Sequence, residues 1–181
     1  MILLHIVFGI AVVALVSTYL STLWGAPWAP TPLDRVDRML RLAGVQPGET
    51  VVDLGAGDGR IVICATRRFG ARAIGVEIDP LRWLIANVAI RAMGLGTQAR
   101  VVRGDMFAYD LGEANVVTLY LLEGTNQRLR PHLAGSLRPG ARIVSHAYSL
   151  EGWTPLAVDP EHRLYLYEVR DTTPSAQEGT S

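Results

Sequence analysis

Residues 51–62 read VVDLGAGDGRIV: an apolar run, a turn with three glycines, and a second apolar run. Asp53 precedes the glycines, and Asp58 lies between Gly57 and Gly59. Glycines in such a turn let the backbone approach a ligand closely and adopt positive φ. Turns of this kind usually cradle a phosphate at a helix N-terminus. Here two carboxylates would repel a phosphate at close range, so the turn suits a ligand with positive charge and no phosphate. Glu77 follows the glycines by about 20 residues, the separation at which an acid accepts hydrogen bonds from ribose hydroxyls. Further on, Gly104-Asp105-Met106-Phe107 adds another acid with apolar side chains beside it, a combination suited to adenine and its amino group. A nucleoside carrying an ammonium and a sulfonium, S-adenosylmethionine, meets these requirements. A dinucleotide does not, because its fingerprint is G-x-G-x-x-G and the spacing here is G-x-G-x-G.

These residues need a scaffold that brings strand ends together. Thr50 to Leu54 reads as a buried strand, followed by the turn and a helix that runs to Phe69 and stops at Gly70. Ala73 to Glu77 is a second strand, Pro80 to Met93 a helix, and Arg100 to Arg103 a third strand. Val116 to Leu122 is an apolar run of strand length, Gln127 to Leu137 a weak helix, and Ala141 to Ser145 a strand. Strands alternating with helices predict a parallel sheet covered on both faces. Thr154 to Val158 and Leu164 to Val169, joined around Asp159-Pro160, predict an antiparallel hairpin at one edge. The fold class is therefore α/β, Rossmann-like and doubly wound, with ligands outside the carboxyl ends of the strands. Asp79 before Pro80 reads as a helix cap, and Thr31 before Pro32 as the cap of a helix that starts the domain.

The chain of 181 residues suits one domain with a core. Its 17 basic residues, all arginine, balance 17 acidic ones, so nothing indicates a nucleic-acid partner, which needs a basic surplus. The single cysteine, Cys64, excludes an internal disulfide and reads as core. No ligand cluster for a metal is visible. Ile2 to Trp24 contains no Asp, Glu, Lys or Arg and is long enough to cross a bilayer as one helix, which takes about 20 residues. A cleaved signal peptide is the rival, but it would begin with basic residues. Arg35, Arg38 and Arg41 follow closely, which predicts a cytoplasmic domain. The expected organisation is a transmembrane anchor at 1–24, a proline-rich connector at 25–32, the domain at 33–170 and a disordered tail at 171–181.

In this order, VVDLGAGDGRIV, GVEIDP, RGDMFAYD and LRPGARIV resemble the seven-stranded (class I) S-adenosylmethionine-dependent methyltransferases over roughly Thr31 to Val169. An apolar anchor, PTP, DLGAGDGRIV and a late Gly152-Trp153-Thr-Pro are similar, more narrowly, to the FAM173-type family of protein-lysine methyltransferases. The resemblance implies that Asp53, Gly55 and Gly57, with Asp58 in the same turn, hold the methionyl end of the cofactor. It assigns Glu77 to the ribose, and Asp105 with Met106 to the adenine. It also implies a protein lysine as methyl acceptor, presented near the membrane surface.

The end of the Val116–Leu122 run should reach the transferring methyl. Many amine and amide methyltransferases carry Asn/Asp-Pro-Pro-Tyr there, whereas this chain has Thr118-Leu-Tyr-Leu-Leu-Glu-Gly124. That departure argues against a nucleobase or glutamine-amide acceptor. Tyr120 is a candidate wall of the acceptor channel, or a plain core aromatic. Glu123 is a candidate to attract a lysine or take its proton, or a solvated loop acid. His146 is a candidate base, or a hydrogen-bonded structural histidine, and Trp153 a candidate for the rim. A quinone or lipid head group as acceptor, and a non-catalytic cofactor-binding module, are the rival readings.

Overall fold

The structure, a computed structural model, describes residues 30–170 together with Met1, His5 and Phe8. Most of the predicted anchor, most of the connector and the tail lie outside the described residues. Among the described residues, no helix is long and apolar enough to cross a membrane.

The elements run α1 (Leu33–Leu42), β1 (Thr50–Leu54), α2 (Arg60–Phe69), β2 (Arg72–Glu77), α3 (Pro80–Ala92) and β3 (Ala99–Arg103). They continue with β4 (Val116–Leu119), α4 (Glu123–Ser136), β5 (Arg142–His146), β6 (Ala157–Asp159) and β7 (Leu164–Glu168). One seven-stranded sheet has the order β3-β2-β1-β4-β5-β7-β6. Strands β1 to β5 pair in parallel, and β7 runs antiparallel between β5 and β6. This is the doubly wound sheet with a C-terminal hairpin that the alternation predicts. The switch point lies between β1 and β4, where the chain turns from building one half of the sheet to the other.

Alternation along the strands separates two cores. Val51, Val116 and Val144 join α1, α2 and α3 on one face, with Val36, Leu40, Val62 and Ile90. Val52, Leu119 and Ile143 join α4 on the other, with Leu129 and Leu133. Cys64 is half-buried against the first core, as expected.

Several boundaries differ from expectation, and the strand expected at Thr154 to Val158 pairs only over Ala157–Asp159. The Val116–Leu122 run leaves the sheet after Leu119; Leu121 stays buried in the second core while Leu122 is exposed. Apolarity continues because of packing, not pairing, so composition overextends the strand. The helix expected from Gln127 starts at Glu123 and tolerates Pro131 inside it. Thr31 does not cap α1. Pro32 holds the N-cap position with an extended backbone and no side-chain cap, and its carbonyl accepts from the N–H groups of Arg35 and Val36 at 3.0 Å. Asp79 does cap α3, accepting from Leu81 N and Arg82 N at 2.9 Å each.

Candidate active site

The turn after β1 is built by its glycines: Gly55, Gly57 and Gly59 all have positive φ, between 55° and 81°. The turn is fixed to β2, since Gly55 N–H and Ala56 N–H both donate to the Val76 carbonyl, at 2.9 and 3.0 Å. Glu77, at the end of β2, completes the fixing. Its Oε2 accepts from Gly57 N–H (2.8 Å) and its Oε1 from Asp79 N–H (2.9 Å). A carboxylate offers about four acceptor sites, so Glu77 can hold the turn and still accept from ribose hydroxyls.

Residues odd in β1 point the same way as Val51, which sends Asp53 toward the α1 side of the sheet. Thr118 lies opposite it in the β1–β4 register, and its Oγ1 donates to Asp53 Oδ1 at 2.7 Å. Asp53 is 3% exposed, and among the described residues it makes no ion pair. Burial pushes its carboxyl up to about 7; the Thr118 hydrogen bond opposes that shift, and the charges of Glu77 and Asp58 add to it. A buried carboxylate without a counter-ion is what a cationic ligand group would relieve. The residues fit the ammonium of S-adenosylmethionine on this ground.

Asp58 has a different situation. Its carboxylate pairs with Arg60 through Nε (2.9 Å) and Nη2, and it accepts from Arg60 N–H at 3.2 Å. Burial alone would raise its carboxyl, but the Arg60 hydrogen bonds and charge outweigh it and hold the group below the ordinary range. Its charge is answered within the chain, so the attraction for a cation rests on Asp53 and Glu77. Arg60 Nη1 also donates to the Thr31 carbonyl at 2.7 Å. That contact draws the start of the domain over the turn, and Pro30 and Thr31 line one crevice with Asp53, Gly55, Gly57, Asp58 and Tyr120.

Asp105 and Met106 sit after β3, beside the end of β2. Gly104 N–H donates to the Glu77 carbonyl (3.1 Å), and Asp105 Oδ1 accepts from Phe107 N–H (2.9 Å). Asp105 is exposed and Met106 half-buried. Neither lines the crevice around Asp53. Ile78, 41% exposed next to Glu77, is an apolar surface at the end of β2 that sequence reasoning passed over; an apolar residue where a strand ends was its only signal. Thr118, Arg60 and Thr31 were also missed, because their importance is a matter of partners in other elements.

Tyr120 lines the crevice and its ring lies 4.3 Å from that of His146, tilted by 31°. Glu123 is exposed in the first turn of α4, outside the crevice lining. An acid there favours the helix N-terminus whatever else it does. His146 ends β5, and among the described residues its buried Nδ1 has no partner. Trp153 is not at the rim. It stacks edge-on against Tyr167 (6.1 Å, 84°) and lines a separate groove with Ala134, Gly152 and Thr154. Among the described residues, no group of three or more His, Cys, Asp or Glu is placed to hold a metal ion.

With this geometry, comparison with known proteins decides the family. The model of the ANTKMT methyltransferase domain matches residues 53–157, from the Asp53 strand to the hairpin. The chain belongs to the ANTKMT methyltransferase domain family. A protein-lysine N-methyltransferase of Saccharolobus islandicus is 41% identical over 150 residues, covering 79% of this chain and 93% of the relative. The adenine nucleotide translocase lysine N-methyltransferase of Mus musculus is 33% identical over 153 residues, covering 82% of this chain and 66% of the relative. A crystal structure described as an RNA methyltransferase from Salinibacter ruber, in complex with S-adenosyl-L-homocysteine, superposes with a TM-score of 0.78. It is 42% identical, with 83% of this chain and all of that one covered. This member of the ANTKMT family is an S-adenosylmethionine-dependent methyltransferase, as the charge of its glycine turn implies.

Proposed function

We propose that this methyltransferase acts on the ε-amine of a lysine in a protein presented close to a membrane. The observation that carries the lysine is that both the Saccharolobus and the mouse relatives are named lysine N-methyltransferases. Their likeness extends over the Asp53 crevice and the strand that delivers Tyr120. When bound, S-adenosylmethionine supplies an electrophilic methyl on a sulfonium. Asp53, oriented by Thr118, would hold the ammonium, Gly55 and Gly57 would admit the methionyl chain, and Glu77 would take the ribose. Asp105, Met106 and Ile78 would frame the adenine. Tyr120 forms one wall of the acceptor channel, and its ring suits an amine or ammonium. Glu123, exposed on α4, draws a cationic side chain toward the approach. A neutral amine needs alignment and a dry channel more than acid–base machinery.

The membrane part of the proposal rests on the uncharged run Ile2 to Trp24 and on Arg35, Arg38 and Arg41 after it. Pro30 and Thr31 lie at the crevice. A segment joined there keeps the site within a few residues of whatever holds the N-terminus.

The test incubates the full chain with radiolabelled S-adenosylmethionine and the membrane, soluble and RNA fractions of a source strain lacking the gene. Label recovered as methyl-lysine in a membrane-fraction protein is expected. Label only in a quinone, a lipid extract or RNA replaces the lysine reading with that acceptor. Retention of the enzyme in membranes after an alkaline wash is expected as well; recovery in the soluble fraction removes the anchor from the proposal.

A further inference from the structure

The sheet arranges a row of side chains on its α1 face. Asp53 (β1) accepts from Thr118 (β4), Tyr120 follows two residues on, and the Tyr120 ring meets His146 at the end of β5. The register explains the row: Thr118 faces Asp53 on one side and Val144 on the other. His146, the last residue of β5, and Tyr120, one residue past the end of β4, continue the same alternation. The row starts where the cofactor's ammonium would lie and ends at His146, on the side away from the glycine turn.

His146 is 8% exposed, and among the described residues its buried Nδ1 has no hydrogen-bond partner. Buried polar atoms are nearly always paired, and leaving one unpaired is destabilising. The backbone beside it is strained. Ala147 and Arg163 both have positive φ, 73° and 53°, although neither is glycine. They hold each other: Ala147 N–H donates to the Arg163 carbonyl and Arg163 Nη2 to the Ala147 carbonyl, each at 2.8 Å. An unpaired buried nitrogen and two strained residues at one strand end are the kind of local cost that collects at working sites.

We propose that His146 receives a hydrogen bond from the acceptor lysine and aims its lone pair at the methyl group. This rests on the lysine reading given above. The lysine Nζ reaches the channel after losing one proton to solvent water. One of its two remaining N–H bonds donates to an imidazole nitrogen of His146. The Nζ lone pair forms the new N–C bond as the methyl C–S bond breaks, and that electron pair stays on sulfur. The resulting methylammonium gives its extra proton to water on release.

The surroundings of His146 keep the ring able to accept. Burial lowers its basicity first, followed by the positive charges of Arg35 on α1 and Arg163 before β7; Asp34 on α1 opposes them. Tyr120 and Tyr148 are the neighbouring phenols: Tyr120 stacks on the ring, and Arg163 lies over Tyr148 at 5.7 Å. The same two arginines disfavour a lysine ammonium, so they bias the acceptor toward its neutral, nucleophilic form.

Three variants of the full chain separate acceptance of a hydrogen bond from mere packing. His146→Phe keeps a ring against Tyr120 and removes both nitrogens. His146→Asn and His146→Gln lose the ring but place an amide oxygen near the Nδ1 and Nε2 positions. Lysine methylation is followed with the membrane fraction of the deletion strain as acceptor. His146→Phe should lower kcat on the order of 10–100-fold with unchanged S-adenosylmethionine affinity by calorimetry, and one of the amide variants should recover most of the loss. In wild type, log kcat/KM should rise with pH at a slope of about 2 below the imidazole pKa and about 1 above it; His146→Phe should give about 1 throughout. Independently of activity, the His146 ring signals in NMR should titrate below the ordinary range near 6.5 and move on addition of n-butylamine. A His146→Phe rate close to wild type, amide variants no faster than Phe, or ring signals unmoved by n-butylamine overturns the inference alone. Wild type that labels no lysine at all overturns the lysine reading and this inference with it.

Discussion

Thr118 Oγ1 donates to Asp53 Oδ1 at 2.7 Å across the β1–β4 pair, so a neutral hydroxyl orients the buried carboxylate and leaves its charge to a ligand. With its carboxyl raised to about 7 from an ordinary 3.8, Asp53 is largely protonated in the ligand-free protein at mildly acidic pH. S-adenosylmethionine affinity should therefore strengthen as pH rises from about 5.5 to 7.5, below the range near 7.7–8.0 where the cofactor's own amine titrates. Calorimetry across that window checks it. Asp53→Asn should bind more weakly and lose the trend.

The same shift bears on stability without ligand. The folded chain retains a proton on Asp53 that the unfolded chain releases near 3.8. Its contribution is full below that value and declines as pH rises through about 7. Thermal melts of the ligand-free protein should show Asp53→Asn gaining on wild type between pH 4 and 8, with most of the gain reached by pH 7.

Glu77 accepts from Gly57 N–H and Asp79 N–H in the protein itself. Glu77→Ala should therefore weaken cofactor binding by about 2–3 kcal/mol through lost charge-assisted bonds and also lower the melting temperature. Calorimetry that shows unchanged affinity in a folded Glu77→Ala removes the ribose assignment.

Arg60 joins Asp58 to the Thr31 carbonyl. Arg60→Ala should release Thr31 from the crevice and free the charge of Asp58. Hydrogen exchange measured around Thr31 should rise, while the overall fold is retained. Protection unchanged in the variant would show that the Pro30–Thr31 segment is held there by something else.

Gly75 lies in β2 beneath the glycine turn. A Cβ there would come within 2.5 Å of the Ala56 Cβ and 3.0 Å of Val62 and Val101. Ala56 cannot yield without moving Gly55 and Gly57, so Gly75→Ala should cost about 1–3 kcal/mol of stability and weaken cofactor binding together. A denaturant midpoint equal to wild type would contradict this.

The sequence by itself determined the alternating elements, the parallel sheet with its terminal hairpin, and the residues of the glycine turn. Those depend on local chemistry: glycines that accept positive φ, apolar runs of strand length, Asp79 capping its own helix, and an acid at a fixed distance along one βαβ unit. The charge of Asp53 was legible for the same reason. The tertiary structure alone decided which of those charges is free. Asp58 is neutralised by Arg60, Asp53 is not, and Thr31, ahead of α1, meets Asp53 and the Thr118–Tyr120 end of β4 from a distant part of the chain. It also moved Trp153 to another groove and brought His146, at the end of β5, against Tyr120. Such neighbours are fixed by strand order and register between segments far apart in the chain, and no local pattern of residue types records them.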